Sequence, residues 1–315
     1  MGILNVSERG ESTDMFLDFF KKFFHWSNIP TLFYLALNVG LITFFVAGST
    51  YESIGYVILL GLLIYGVSLL LGISPLGEWY LRLQTNCKKI YSPDDIRRLE
   101  PIFNEVYARA KTLDPNLAPN VRLFISEDPN INAFATGTHT VCLTRGILAL
   151  SDDQIKGALA HELGHLSHRD TVFCHLVITG NFFLNTVYLI ITWTIRLLTF
   201  VFCFFLSLIF HGGLAVLIVR KIGDAFLTVI NVIYNLWIKF GFFLQMFSAR
   251  RHEFAADAFA FNIGYGSHII SMLSALPSDG VRSLTEVMFS SHPATADRLA
   301  KLHAMLSTET RYISR

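Results

Sequence analysis

The sequence predicts a mainly α-helical membrane protein: about four transmembrane helices joined to a soluble α+β domain with a small β-sheet. Three observations predict it. Hydrophobic residues make up 52% of the 315 and charged residues only 16%, whereas about a quarter of a soluble protein is charged. The apolar residues gather in runs at 31–47, 54–73, 172–195, 197–219 and 225–247, of which the longer ones match the roughly 20 residues that cross ~30 Å of hydrocarbon. Between and after these runs the composition turns soluble, and one soluble stretch holds His161-Glu162-Leu163-Gly164-His165.

Composition also excludes some classes. A net charge of +1 gives no electrostatic footprint for nucleic acid. Cys87, Cys142, Cys174 and Cys203 show no C-x-x-C spacing, so they read as small buried hydrophobes rather than a disulfide framework or a zinc ribbon. No cleavable signal peptide is expected, because the first fifteen residues are polar and mixed in charge.

Residues 1–29 read as a solvated tail followed by an amphipathic segment. Phe16, Phe19, Phe20, Phe23 and Phe24 are interleaved with Lys21 and Lys22, which suits either a helix lying on a membrane surface or an ordinary packed helix. Residues 30–75 hold two transmembrane candidates. The loop at 48–53 between them has no Lys or Arg, while Lys21, Lys22, Arg82, Lys88 and Lys89 flank the outer ends. The positive-inside rule then puts both outer ends in the cytosol.

Residues 76–171 form the first part of the catalytic domain. Ser92-Pro93-Asp94-Asp95 starts a helix with a cap, a first-turn proline and acids at the positive end. Ile96, Leu99, Phe103, Val106, Tyr107 and Ala110 follow as one apolar stripe, with Pro101 as a kink point. Two strand signals come next, at 121–125 and 132–144, and predict a small antiparallel sheet with a glycine-containing turn. Ser151-Asp152-Asp153-Gln154 is a capping box. It opens the helix that carries His161, Glu162 and His165.

Residues 172–247 return to the membrane. Spans at about 172–195 and 225–247 are expected, with 197–219 re-entrant, interfacial or a continuation of one span, and Arg196 near the outer interface. An Arg at the bilayer centre would cost ~2.5–3.5 kcal/mol. Residues 248–315 complete the cytosolic part.

H-E-x-x-H on a helix is a metal-ligand spacing. At about 3.6 residues per turn, His161 and His165 share a face, and Glu162 between them can reach the attacking water without ligating the metal. Such a site needs a third protein ligand. Glu253, in Arg250-Arg251-His252-Glu253-Phe254-Ala255-Ala256-Asp257, is the favoured one, with His168 and His252 as alternatives. Asp257, one turn beyond Glu253, is placed to bond the free ring nitrogen of a ligand histidine. Both ligand helices must lie on one side of the membrane, so the excursion between them needs an even number of spans.

Four segments in this order, H-E-L-G-H at 161–165 with flanking Ala158 and Asp170, E-F-A-A-D at 253–257, N-A-F-A-T-G at 132–137 and H-P-A-T-A-D-R at 292–298, resemble the HtpX-like membrane zinc metalloproteases (peptidase family M48) and their relatives, the prenyl-protein proteases. The resemblance covers roughly residues 30–305 and is closest to the HtpX-like branch. It implies a gluzincin-type endopeptidase with one Zn2+ per chain, held by His161, His165 and Glu253, and Glu162 as general base. It implies an edge strand that takes extended substrate at Asn132, Ala133, Phe134 and Ala135, and polar groups near the oxyanion at His292 and Arg298. Its implied partners are the lipid bilayer and polypeptide substrates, membrane or misfolded proteins handled in quality control. Its implied location is the bacterial inner membrane, multi-pass, with the active site and both termini cytosolic. The alternatives are a processing protease dedicated to one membrane substrate and a catalytically idle zinc-binding membrane scaffold.

Overall fold

The computed structural model describes residues 24–47, 53–172, 181–210, 213–276 and 294–313. The tail, most of the amphipathic segment and His292 lie outside the described residues. The chain divides into two units: 1–32 with 71–176 and 245–315, and 33–70 with 177–244.

In chain order the helices are α1 (Ile29–Ala47), α2 (Ile54–Ile73), α3 (Pro75–Gln84), α4 (Pro93–Leu113), α5 (Asp152–His168), α6 (Phe182–Phe210), α7 (Leu214–Ala260), α8 (Gly266–Ala275) and α9 (Thr295–Ile313). Three strands, β1 (Arg122–Ser126), β2 (Ala133–Thr136) and β3 (Thr140–Thr144), lie between α4 and α5. One helical stretch among the described residues, Phe183–Ile209, is long and apolar enough to cross a membrane. A second counts if α2 and α3 form one broken span.

Helix boundaries in the 172–247 region differ from expectation. Helix α6 runs through Arg196, and the 47 residues of α7 run through Arg220-Lys221. Arg and Lys are good helix formers whose long stems carry the charge away from the axis, so they interrupt hydrophobicity without interrupting the backbone. The residue just ahead of α7 is Gly213, at φ +111°, a conformation that side chains with a Cβ rarely adopt. Within this unit polar side chains bond one another. Tyr34 donates to Asn181 Oδ1 at 2.8 Å and Trp237 Nε1 donates to Asn38 Oδ1 at 3.0 Å, which removes the cost of leaving them unpaired among apolar groups.

The other unit is built on a hydrophobic core. Leu99, Ile102, Phe103, Val106 and Ala110 of α4 are buried with Ile155, Leu159 and Leu163 of α5 and Ile269 and Met272 of α8. Gly157 lets α5 and α8 touch backbone to backbone, since a Cβ there would stand 2.6 Å from Ile269 N. Pro101 lies inside α4, which continues past it. The ring is on the exposed side, where water can take up the hydrogen bond that proline cannot donate.

The sheet corrects one expectation. Its order is β1-β3-β2, with β2 antiparallel to β3 but β1 parallel to it. The short turn at 137–139 makes a hairpin of β2 and β3, so β1 is left to pair on the far side of β3, and the chain between β1 and β2 returns without reversing the β1–β3 direction. Strand β2 is thereby the edge. Buried Glu78 of α3 secures the hairpin turn, accepting from His139 N at 2.9 Å and Thr140 Oγ1 at 2.8 Å.

Candidate metal centre

Helix α5 begins with the expected capping box: Ser151 accepts from Gln154 N, and Gln154 accepts from Ser151 N at 3.0 Å. With its start fixed, the helix period stacks His161 and His165 one turn apart. Their Nε2 atoms are 3.2 Å apart and their rings nearly perpendicular, at 87°. Glu253 arrives from α7. Its Oε2 is 3.4 Å from His161 Nε2 and its Oε1 3.4 Å from His165 Nε2.

These separations fit a metal. A tetrahedral ion with metal–donor distances of about 2.0–2.1 Å keeps its ligands roughly 3.3 Å apart, and the three pairs span 3.2–3.4 Å. His161 and Glu253 are buried and His165 is half-buried. Among the described residues these three form the one His/Cys/Asp/Glu cluster with metal-site spacing. The alternatives for a third ligand lie elsewhere: His168 packs edge-on against the Phe259 ring, and His252 Nδ1 sits 3.3 Å from Asp170 Oδ1.

Gly164 explains how Glu253 gets there. A Cβ on it would stand 2.9 Å from Ala256 Cα, so the glycine of H-E-L-G-H lets α7 lie directly on α5.

Each histidine has a carboxylate behind it, buried for Asp257 and half-buried for Asp170. Asp257 Oδ1 is 2.8 Å from His161 Nδ1, and Asp170 Oδ2 is 3.2 Å from His165 Nδ1. Contacts of this kind set the tautomer that turns each Nε2 toward the shared point. Sequence reasoning placed Asp257 by helical spacing but assigned Asp170 no role. Asp170 lies beyond the end of α5, where Arg169 takes a left-handed conformation at φ 61° and turns the chain back. Periodicity does not extend past such a turn. Its one sequence signal was its place in the motif's flank.

Arg298, in the first turn of α9, is buried against the acids. Its Nε and Nη2 donate to the two oxygens of Asp257 at 2.8 and 2.6 Å, and Nη1 is 3.2 Å from Glu253 Oε2. The guanidinium holds the Asp257 carboxyl below its usual range although burial pushes the other way. Burial also disfavours charged His161 and His165. Asp257 and Glu253 outweigh it for His161, and Asp170 and Glu253 for His165, so both are raised, His165 strongly.

Glu162 turns toward the sheet. Its Oε2 accepts from Ala135 N at 2.7 Å, so this N–H points away from β3. By the period of two, Ala133 shares that outward edge. Phe134 is half-buried and faces β3 with its backbone. Asn132 is tied to Thr144 on both sides of its own residue, donating through N and accepting through O. Of the four residues expected to meet substrate, the structure brings Ala135 to the catalytic motif.

The peptidase family M48 model matches residues 93–306. The protease HtpX homolog of Desulfotalea psychrophila is 27% identical over 296 residues, covering 86% of this chain and 96% of the relative. Protease HtpX of Shewanella baltica is 26% identical over 251 residues, covering 73% and 82%. The crystal structure of S. mikatae Ste24p aligns with a TM-score of 0.45 at 17% identity, over 92% of this chain and 66% of that one. The matched segment, more than half of the chain, contains His161, Glu162, His165, Glu253 and Arg298, and the chain belongs to peptidase family M48, a family of metalloproteases.

Proposed function

We propose that the chain is a membrane-embedded zinc endopeptidase that hydrolyses peptide bonds of membrane or misfolded proteins at the cytosolic face. One observation carries this reading: three donor atoms at 3.2–3.4 Å from one another, beside a glutamate bonded to the edge of a sheet.

In this reading His161, His165 and Glu253 hold one Zn2+, which when bound polarises the scissile carbonyl and makes water acidic. Glu162 takes the proton of the attacking water and passes it to the leaving nitrogen. The Ala135 N–H fixes its carboxylate at the strand edge. Substrate adds to β2 as an extended strand, through the outward N–H and C=O of Ala133 and the C=O of Ala135, whose N–H stays with Glu162. That mode reads backbone more than side chains, which suits varied substrates. Asp257 and Asp170 orient the histidines. Arg298 is a positioning residue, since its N–H groups are engaged by Asp257 and Glu253. His292 rests on the family resemblance alone.

The proposed location is a bacterial inner membrane, multi-pass with an even number of spans between the ligand helices, and the site and both termini in the cytosol. The Lys and Arg at the outer ends of the apolar runs support it. So does Arg251, whose guanidinium stands 3.6 Å from the centre of the Trp26 ring, a pairing suited to a membrane–water interface.

The test is zinc content and casein cleavage by detergent-purified protein, with and without chelator. One zinc per chain and cleavage lost on chelation are expected. Protein that binds zinc but cleaves neither casein nor a membrane protein would be a scaffold, and protein that binds no zinc would end the enzyme reading.

A further inference from the structure

Helix α3 has two unlike faces. Leu76, Trp79, Tyr80 and Leu83 stand at i, i+3, i+4 and i+7, on one side of the helix, and all four are exposed. The opposite side meets the sheet with its charged residues. Glu78 accepts there from His139 N and Thr140 Oγ1, and Arg82 Nη1 donates to Thr140 Oγ1 at 3.1 Å. The fit is tight, since a Cβ on Gly137 would stand 2.8 Å from Glu78 Cγ. The helix thus turns charges inward and large apolar groups outward, the reverse of a surface helix in water.

The position of α3 in the chain says what meets the outer face. Ser74 alone separates it from the apolar helix α2, and the extended ψ of Ser74, 164°, breaks the helical path. With Glu78 and Arg82 tied to the sheet, α3 is no continuation of a span. Trp and Tyr set between leucines is the composition that settles at headgroup level. A second contact points the same way. Thr171 Oγ1 donates to Gly137 O at 2.6 Å, and Thr171 is the last residue before the apolar run at 172–195. The turn between β2 and β3 is therefore held by two residues that stand close, along the chain, to apolar runs.

We propose that α3 lies on the cytosolic surface of the bilayer, with Leu76, Trp79, Tyr80 and Leu83 among the headgroups. It thereby holds the β2 edge at the membrane, and the enzyme takes the stretch of polypeptide next to a transmembrane span. The proposal rests on the membrane-protease reading and names its substrate class. Ala135 lies two residues from Gly137, which is ~7 Å of strand, and α3 is ~10–12 Å across. The edge that meets Glu162 is then within roughly 20 Å of the membrane surface, a gap that an extended chain crosses in about six residues.

For the test, full-length protein is reconstituted in phosphatidylcholine vesicles, and Trp79 is read as the difference in emission between wild type and Trp79→Phe. Bromine near the top of the acyl chains should quench that difference more strongly than iodide in the water. Stronger quenching by iodide overturns the proposal. So does quenching by neither, which marks a second copy or another segment on the face. Vesicles then receive a single-span substrate with one cleavable segment about six or about thirty residues from the span; effective concentration falls as roughly the −3/2 power of tether length, so the near segment should be cut about tenfold faster. L76Q/W79Q/Y80Q/L83Q should lose that preference, with zinc content and cleavage of the same segment as a soluble peptide unchanged. A preference that survives in the variant, or a variant that no longer cuts the soluble peptide, overturns the proposal. The enzyme reading fails separately, as wild type that cuts neither form, and the membrane reading as release of the chain by alkaline carbonate.

Discussion

Gly164 and Ala256 lie so close that a Cβ on the glycine would stand 2.9 Å from the alanine's Cα. This contact decides whether Glu253, three residues before Ala256, reaches the two histidines. Gly164→Ala should push α7 outward, cost about 1–3 kcal/mol in stability and weaken metal retention. Gly164→Val should do both more severely. Calorimetry with zinc analysis of the same samples checks this. A G164A protein with unchanged melting temperature and full zinc would show that the helices adjust freely.

Glu162→Gln removes the proton acceptor and leaves the three donors in place. Hydrolysis should fall by at least the 10²–10⁴ typical of general base catalysis, with zinc content unchanged. Initial rates on casein and metal analysis measure both. Activity that survives in zinc-loaded E162Q would assign the base elsewhere.

Removing the acid behind a ligand should act on metal affinity before it acts on chemistry. Asp257→Ala should weaken zinc binding by about 10–100-fold, because His161 loses the partner of its Nδ1 and Arg298 loses its main acceptor. Asp170→Ala should act similarly through His165. Arg298→Lys should recover part of what Arg298→Ala loses in zinc affinity, since one cation can still lie near both acids. A loss of kcat with full zinc affinity in R298A would instead favour a direct contact with substrate.

The raised positions of His161 and His165 predict competition between protons and zinc. In metal-free protein the protonated rings pair with Asp257, Glu253 and Asp170. Their contribution to stability is complete below the ordinary histidine value of 6.5 and is lost as pH rises through the higher folded-state values. Zinc needs neutral rings. Its affinity should therefore begin to fall on acidification at a pH above 6.5, by up to about tenfold per pH unit for each histidine displaced. Chelator competition across this range is the measurement, and a flat affinity down to pH 6.5 would contradict the arrangement.

Glu78 predicts a purely structural effect near the substrate edge. Glu78→Ala strands the His139 N–H and the Thr140 hydroxyl, which should cost about 1–3 kcal/mol and raise KM more than it lowers kcat. Thermal melts with steady-state kinetics on a model peptide separate the two.

Much of the site was legible because it is local. Ser151 and Gln154 cap α5, and the period of that helix then aligns His161 with His165. The same period on α7 aligns Glu253 with Asp257. What was not legible depended on backbone direction. The parallel pairing of β1 with β3 rests on which strand the hairpin leaves exposed, and the step from His165 to Asp170 passes through a left-handed residue that breaks the helical count. Helices α6 and α7 run past the ends of the apolar runs for a related reason: Arg196 and Arg220 interrupt hydrophobicity, yet the non-helical backbone falls at Gly213.

The sequence by itself determined the candidate ligand types, their spacing along each helix and the family, because those are properties of short segments and of the helical period. Only the tertiary structure decided that Glu253 rather than His168 or His252 completes the cluster, that Asp170 and Arg298 stand behind it, and that Glu162 is held by the Ala135 N–H. Apart from Asp170, which reaches His165 across the Arg169 turn, these contacts join residues 27 to 137 positions apart, and their distances are set by how closely the helices and a strand can pack. At Gly164, that limit is the absence of a side chain.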